Sequence, residues 1–230
     1  MSIQDNDFEN RFAFAEKVSP ITGFSILQKG AYRHVFKRVF DCALVLISSP
    51  IVVPVVLLLA LLVSRDGHQP FYKQSRIGKN DRIFTMWKLR SMVHDAEARL
   101  ENHLETNQSA REEWDEKQKL ADDPRITSVG QLLRKTSLDE LPQLWNVLIG
   151  DMSIVGPRPM MPEQRDLYPG RSYYALRPGV TGYWQISDRN KSTFAARAKF
   201  DNRYYEDVSF STDVSIVVST VGVVLRGTGC

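Results

Sequence analysis

The sequence predicts an α+β protein, mostly α, in which a re-entrant membrane helix-break-helix is followed by a compact cytosolic domain with a small β-hairpin. Three observations carry this. An uncharged apolar run extends from Ala43 to Val63, basic residues flank it on both sides, and the remainder alternates helical spacing with one β-prone pair of segments. The chain has 230 residues, 43% hydrophobic and 25% charged, enough for a well-buried core. Its formal charge of +3 is small and dispersed and does not by itself suggest a nucleic-acid partner, which is not expected, although local basic clusters could face anionic lipid or phosphate. Cys42 and Cys230 form neither a disulfide framework nor a metal-ligand spacing, in keeping with a reducing compartment.

Residues 1–35 are polar with scattered aromatics and read as a flexible N-terminal arm. Residues 36–65 are the membrane segment. Its uncharged core "ALVLISSPIVVPVVLLLALLV" has the length of a spanning helix, and it lies too far from the amino terminus for a cleavable signal. Pro50 and Pro54 interrupt its middle, where a straight helix loses donors and meets steric clashes. Lys29, Arg33, Lys37 and Arg38 precede the run, and Arg65, Lys73, Arg76 and Lys79 follow it. A spanning helix would put one basic cluster on the wrong side, whereas a hairpin bent in the region of Pro50 and Pro54 keeps both on the cytoplasmic side. Each half would rise about 15 Å, enough to enter one leaflet and return.

Residues 66–230 form the cytosolic, membrane-surface domain. Phe71 to Gln74 and Ile83 to Lys88 read as strands around a Gly78-Lys79-Asn80-Asp81 turn, and Arg90 stands at the end of the second. The segment "DAEARLENHLETNQSAREEWDEKQKLADD" reads as one helix with a thin apolar stripe, Met92, Ala96, Leu100 and Leu104. Asp122 and Asp123 read as a turn or cap before Pro124. Two further helices meet near Ser137. The tail "FSTDVSIVVSTVGVVLRG" is too short to span and is read as a helix on the membrane surface.

The chemistry centres on "SLDELPQLWNVLIGDMSIVGPRP". Ser137-Leu138-Asp139-Glu140 matches a capping box, a purely structural reading of both acids. Pro142 argues for a later helix start, which would leave Asp139 as N-cap and release Glu140 from capping. An ionised carboxylate among arginines can attack phosphorus without a general base, provided that cations activate the electrophile. Arg134 precedes the pair. Arg158 follows it, stiffened between Pro157 and Pro159, so that its fork can meet a phosphate at low entropic cost. Arg189 in "SDRNKS" is a further candidate. His34, His68, His94 and His103 show no ligand spacing, and there is no Walker loop, dinucleotide fingerprint or zinc motif.

Taken together, "FKRVFD", "SSP", "QSRIG", "WKLRSM", "DDPRIT", "LRKTSLDELPQLWNVLIGDMSIVGPRP", "LRPGVTGYWQIS" and "DNRYYEDVSFSTD" resemble the bacterial small monotopic polyprenyl-phosphate phosphoglycosyl transferases, which begin exopolysaccharide assembly. The resemblance covers the chain from Phe36 to the tail. It implies a monotopic protein of the bacterial inner membrane, with its helix broken at Ser49-Pro50 and its catalytic domain facing the cytoplasm. It further implies that Asp139 attacks the β-phosphate of a UDP-sugar, either UDP-galactose or UDP-glucose, and releases UMP. Glu140 and Mg2+ would assist, the ion being held by Asp139 and Glu140, and undecaprenyl phosphate would then take the sugar phosphate. By motif position Arg90, Arg134, Arg158 and Arg189 would meet phosphates. Arg90 stands where some members have lysine, and Asp188 where a glycine often precedes Arg189. The partners implied are the UDP-sugar, undecaprenyl phosphate and membrane lipid; the oligomeric state is open, with a homodimer as the candidate assembly. A catalytically silent membrane adaptor is the rival reading, and it would not need Asp139.

Overall fold

A computed structural model describes residues 30–117, 120–187 and 193–225. Most of the expected N-terminal arm and the segment holding Arg189 lie outside the described residues. The fold is mostly helical, with two small two-stranded sheets among the described residues. Contacts divide the chain into two units: residues up to Ser49 with Gln74–Met86 and Gln143–Val223, and Pro50–Lys73 with Trp87–Pro142 and the chain from Val224.

Tyr32–Phe36 forms a π-type turn that leads into helix α1, Lys37–Val63. The helix runs through Pro50 and Pro54, which corrects the expected loss of helical structure at Ser49-Pro50. Local hydroxyls supply the reason. Pro50 has no N–H for the Leu46 carbonyl, and Ser49 Oγ donates to that carbonyl at 2.8 Å, while Ser48 Oγ donates to the Val45 carbonyl at 3.1 Å. Leu46, Ile47, Ile51, Leu57, Leu58 and Leu61 are all more than half exposed along this helix. It is the one helix among the described residues long and apolar enough to span a membrane.

In the first unit, α1 is fastened by charged residues of "FKRVFD". Asp41, 1% exposed, accepts from Ser153 Oγ at 2.7 Å and from the Ile154 N–H at 3.0 Å. Arg38 donates to the Val147 carbonyl and, at 2.6 Å, to the Leu148 carbonyl, capping the last turn of α5 (Gln143–Ile149). Strand β3 (Ser153–Val155) pairs in parallel with β4 (Gly179–Thr181), Ser153 opposite Gly179 and Val155 opposite Thr181. Sequence patterning did not reveal this sheet, because three-residue strands are too short for period-two alternation to register. The backbones approach closely here. A Cβ on Gly179 would lie 2.1 Å from the Gly156 nitrogen, and one on Gly182 2.2 Å from the Gly156 oxygen. The glycines of "VGPRP" and "PGVTG" thus lock the turn that presents Arg158. Short helices α6 (Ser172–Ala175) and α7 (Tyr183–Ile186) precede α8 (Arg197–Asp207) and α9 (Phe210–Leu225). The tail is therefore helical, as expected, and Phe210, Val214, Val218 and Val221 are exposed at near-helical spacing.

The predicted hairpin forms, with β1 at Phe71–Ile77 and β2 at Ile83–Leu89. Asn80 and Asp81, at φ 57° and 62°, make its left-handed turn, residue types that tolerate this region. In the second unit the expected single long helix is two, α2 (Ala96–Thr106) and α3 (Gln108–Lys117). Asn107 ends the first in extended conformation and accepts from the Ala110 N–H at 3.1 Å, a side-chain cap that competes with helix continuation. Leu104, Ala110 and Leu120 bury each other there, with Leu100 and Trp114 packed against them. The expected turn before Pro124 is present: Asp123 accepts from the Arg125 N–H at 3.0 Å and pairs with its guanidinium at 2.6 Å. Thr127 then caps α4 (Ser128–Thr136), accepting from the Gly130 N–H at 2.9 Å. Leu133 of α4 packs with Leu59, Ala60, Val63 and Leu89 in a second apolar cluster.

Candidate active site

The acidic pair sits at the end of α4. Ser137 closes that helix in the left-handed conformation, φ 56°, and donates its N–H to the Arg134 carbonyl at 3.1 Å. A single 3-10 turn, Leu138–Glu140, follows. The Ser137 side chain makes no capping bond, and α5 begins only at Gln143. Neither the capping box nor an Asp139 N-cap is formed, so the expected helix mouth at Asp139 is corrected to a tight turn between two helices. Pro142 is the reason the helix starts later still: its ring and missing N–H are tolerated just before a first turn, not within one.

Asp139 is 8% exposed. Burial pushes its carboxyl above the ordinary carboxylate range, and Glu140 adds to the rise, while Lys88 and Arg134 oppose it. Glu140 holds Lys88 at 2.8 Å. Lys88 therefore stands against both acids, one by contact and one by field. Lys88 is the penultimate residue of β2, and no sequence signal indicated that it would meet the acidic pair. Arg134 donates its Nε–H to Ser91 Oγ at 2.9 Å, and burial lowers its own proton affinity.

Arg90 is differently engaged. Its guanidinium grips Asp66 at 2.6 and 2.7 Å and also donates to the carbonyls of Gln69 at 2.9 Å, Met92 at 3.3 Å and Val63 at 3.2 Å. The Arg90 fork holds Asp66 down to about 2. This ties the end of α1 to the end of β2, an anchoring role that sequence spacing did not show.

Two adjacent carboxylates suit Mg2+, which takes one or two protein carboxylates and completes its shell with water and substrate phosphate. No group of three His, Cys, Asp or Glu side chains able to hold a metal occurs among the described residues. Asp139 and Glu140 would be the carboxylates available to such an ion, with phosphate and water completing its shell.

In the first unit, Arg158 lies over the Trp184 ring, its guanidinium carbon 5.7 Å from the centroid. Arg197 lies over the same ring at 4.1 Å. Arg76 donates to the Pro159 carbonyl at 3.1 Å, bracing the Pro157-Arg158-Pro159 turn. Sequence reasoning placed neither Arg76 nor Arg197 beside Arg158, since each reaches this place through the fold rather than through a local pattern.

A family model described as bacterial sugar transferase matches residues 32–227. The chain is 42% identical over 220 residues to a UDP-galactose-lipid carrier transferase of Erwinia amylovora, and 40% identical over 220 residues to an undecaprenyl-phosphate galactose phosphotransferase of Salmonella typhimurium. Each match takes in 95% of this chain and 46% of the relative, so the chain spans less than half the length of these two proteins. It is also 42% identical over 218 residues to the exopolysaccharide production protein ExoY of Sinorhizobium fredii, covering 92% of this chain and 96% of that one. With a match over nearly all described residues, the chain belongs to the bacterial sugar transferase family.

Proposed function

We propose that this protein is a phosphoglycosyl transferase that moves a hexose-1-phosphate from a UDP-sugar, UDP-galactose or UDP-glucose, to undecaprenyl phosphate, the first membrane step of exopolysaccharide synthesis. The observation that carries the reading is Asp139, a buried carboxylate in a one-turn element with Glu140 beside it and the Lys88 and Arg134 charges opposing the effect of burial. The printed names of the relatives, a galactose phosphotransferase and a lipid carrier transferase, support the same class of substrate.

In this reaction an Asp139 oxygen attacks the β-phosphorus of the donor, and the bridging P–O bond breaks with its electron pair leaving on UMP. The sugar phosphate stays on Asp139 as an acyl phosphate. A phosphate oxygen of undecaprenyl phosphate then attacks the same phosphorus and releases the Asp139 carboxylate. Both nucleophiles are already anionic, so neither half needs a base. Mg2+ bound with Asp139 and Glu140 would offset phosphate charge as it develops. Lys88 holds Glu140 and favours ionised Asp139, and Arg134 adds positive charge from the helix end. Arg158 and Arg189 are carried as phosphate contacts by motif. Arg90 is carried likewise, and that role would require exchange of its Asp66 partner.

The same reading puts the protein in the bacterial inner membrane as a monotopic protein whose α1 re-enters by bending at Ser49-Pro50 while staying helical, its catalytic residues facing the cytoplasm. Support comes from the exposed apolar surface of α1, the basic residues at both of its ends and the exposed valine stripe of α9. A straight crossing of the bilayer is the competing arrangement. Cysteine probes at positions 30 and 68, in a background lacking Cys42 and Cys230, are expected to react from one side only; labelling from opposite sides would defeat the hairpin.

The chemical test is incubation of purified protein with Mg2+, undecaprenyl phosphate and a panel of radiolabelled UDP-sugars. Transfer of label to lipid is expected with one hexose donor and not with Asp139→Asn. No transfer from any donor would overturn the assignment and favour the silent adaptor, whereas equal transfer by the variant would overturn the role of Asp139 as nucleophile.

A further inference from the structure

We propose that the base of the β1–β2 hairpin is a further membrane contact, in which Phe71, Lys73 and Trp87 rest on the headgroup layer of the bilayer that α1 enters. The inference rests on the membrane reading of α1 and goes beyond it, since that reading gives the sheet no lipid contact.

The first argument is how the chain leaves α1. The helix ends at Val63, and β1 begins eight residues later at Phe71. Arg90, just past the end of β2, grips this connection along its length. Its guanidinium donates to the Val63 carbonyl at 3.2 Å, pairs with Asp66 at 2.6 Å and donates to the Gln69 carbonyl at 2.9 Å. Its backbone N–H donates to the Pro70 carbonyl at 2.7 Å. The hairpin base is thereby fixed to the mouth of the helix. Ile51, Leu57, Leu58 and Leu61, on the same half of α1, are all more than half exposed, and the uncharged run stops at Val63, with Arg65 and Asp66 following. The change from apolar to polar chain, which marks the level of the headgroups, therefore lies beside the start of β1.

The second argument is the chemistry of the face itself. The Phe71 ring meets the Trp87 ring edge to face at 6.4 Å, and Lys73 Nζ stands 4.6 Å from the Trp87 centroid. Phe71 and Lys73 are exposed on one face of β1, Trp87 is half-buried between them, and Arg65 is exposed at the helix end. Aromatic rings of this kind partition to the headgroup zone, and basic side chains lay their stems on apolar surface while their charges meet lipid phosphate. Lys73 and Arg65 complement the anionic lipids of a cytoplasmic leaflet. Strand alternation links this contact to the acidic pair: Lys88 follows Trp87, points to the opposite face of β2 and holds Glu140 at 2.8 Å. Lipid seated at Trp87 therefore fixes the height of Glu140, and of Asp139 beside it, relative to the headgroups.

The test uses the full chain in vesicles of phosphatidylcholine and phosphatidylglycerol whose acyl chains are brominated either near the headgroup or near the methyl end. The Trp87 signal is the fluorescence of the parent minus that of Trp87→Phe. It is expected to fall at least twofold with the shallow bromines and less with the deep ones, and Lys73→Glu is expected to reduce the shallow quenching. An unquenched Trp87 signal in protein that floats with the vesicles would overturn this contact and leave the membrane reading of α1 standing; protein that does not float would overturn both. Should Trp87→Phe fail to fold, a nitroxide attached to the Phe71→Cys variant, in a background lacking Cys42 and Cys230, decides the matter. Greater access to oxygen than to a water-soluble nickel complex is expected there, and the reverse would overturn the contact. Crosslinking of two copies through Lys73→Cys, without quenching, would overturn it in favour of a second copy of this chain.

Discussion

Each unit contains an aspartate that is almost wholly buried, and the two are treated in opposite ways. Asp213, 0% exposed, accepts from Tyr32 at 2.7 Å, Lys37 at 2.7 Å and Tyr204 at 2.6 Å. Asp139, 8% exposed, receives no side-chain hydrogen bond among the described residues; Lys88 and Arg134 act on it through their charge. A carboxylate saturated with donors is a structural staple, because nothing remains for it to bind. One that is buried, raised in proton affinity and offset by nearby charges and a backbone N–H retains lone pairs for another atom. The contrast separates fold-holding acids from the proposed nucleophile where burial by itself would have grouped them.

The largest expected effect tests the proposed nucleophile. Asp139→Asn should reduce transfer by about 10⁴-fold or more in the radiolabel assay, as removal of a nucleophile commonly does. It should also not destabilise the protein. Because burial raises the folded-state affinity of Asp139 for its proton, the ionised carboxyl opposes folding above its unfolded pKa. The variant should thus gain melting temperature relative to the parent at neutral pH, and the gain should shrink as pH falls through the raised folded-state value and be gone below the ordinary carboxylate range. A lower melting temperature at neutral pH would make Asp139 a second staple and dissolve the contrast.

Asp213→Ala is the complementary break. It removes a buried partner of Lys37 and two tyrosines and should cost about 3–5 kcal/mol of stability, measured by denaturant or thermal unfolding. Next in size, Arg158→Ala should lower kcat/KM about 10²-fold with little change in melting temperature, the mark of a cation acting on developing charge. The smallest expected effect is a shift in pH profile. Lys88 is the leading influence that lowers the proton affinity of Asp139, so Lys88→Met should move the acid limb of kcat/KM to higher pH. A limb that stays in place would mean that Asp139 ionisation does not set it.

Much of this was legible before the fold. The β-hairpin, the tail helix, the turn at Asp123 and the meeting of two helices near Ser137 all follow from local chemistry: turn residues, caps and spacing. Misreadings came where a side chain settled a local competition. Asn107 split one expected helix by capping the next, and Ser49 kept α1 helical by giving the Leu46 carbonyl the donor that Pro50 lacks. Arg90, placed by motif among phosphate contacts, is engaged with Asp66 and the carbonyl of Val63.

Sequence by itself determined the apolar run, the basic flanks, the acidic pair and the rigid Pro157-Arg158-Pro159 turn, because each depends on neighbours a few residues apart. Tertiary structure alone decided that Lys88 meets Glu140 across 52 positions, that Asp41 and Asp213 hold α1, and that Arg76 and Arg197 join Arg158. Those pairings rest on which surfaces the packed elements bring together, and residue spacing along the chain does not encode them. The same burial that creates the contacts also raises Asp139 and lowers Arg197, so the electrostatics, like the contacts, came into being only on folding.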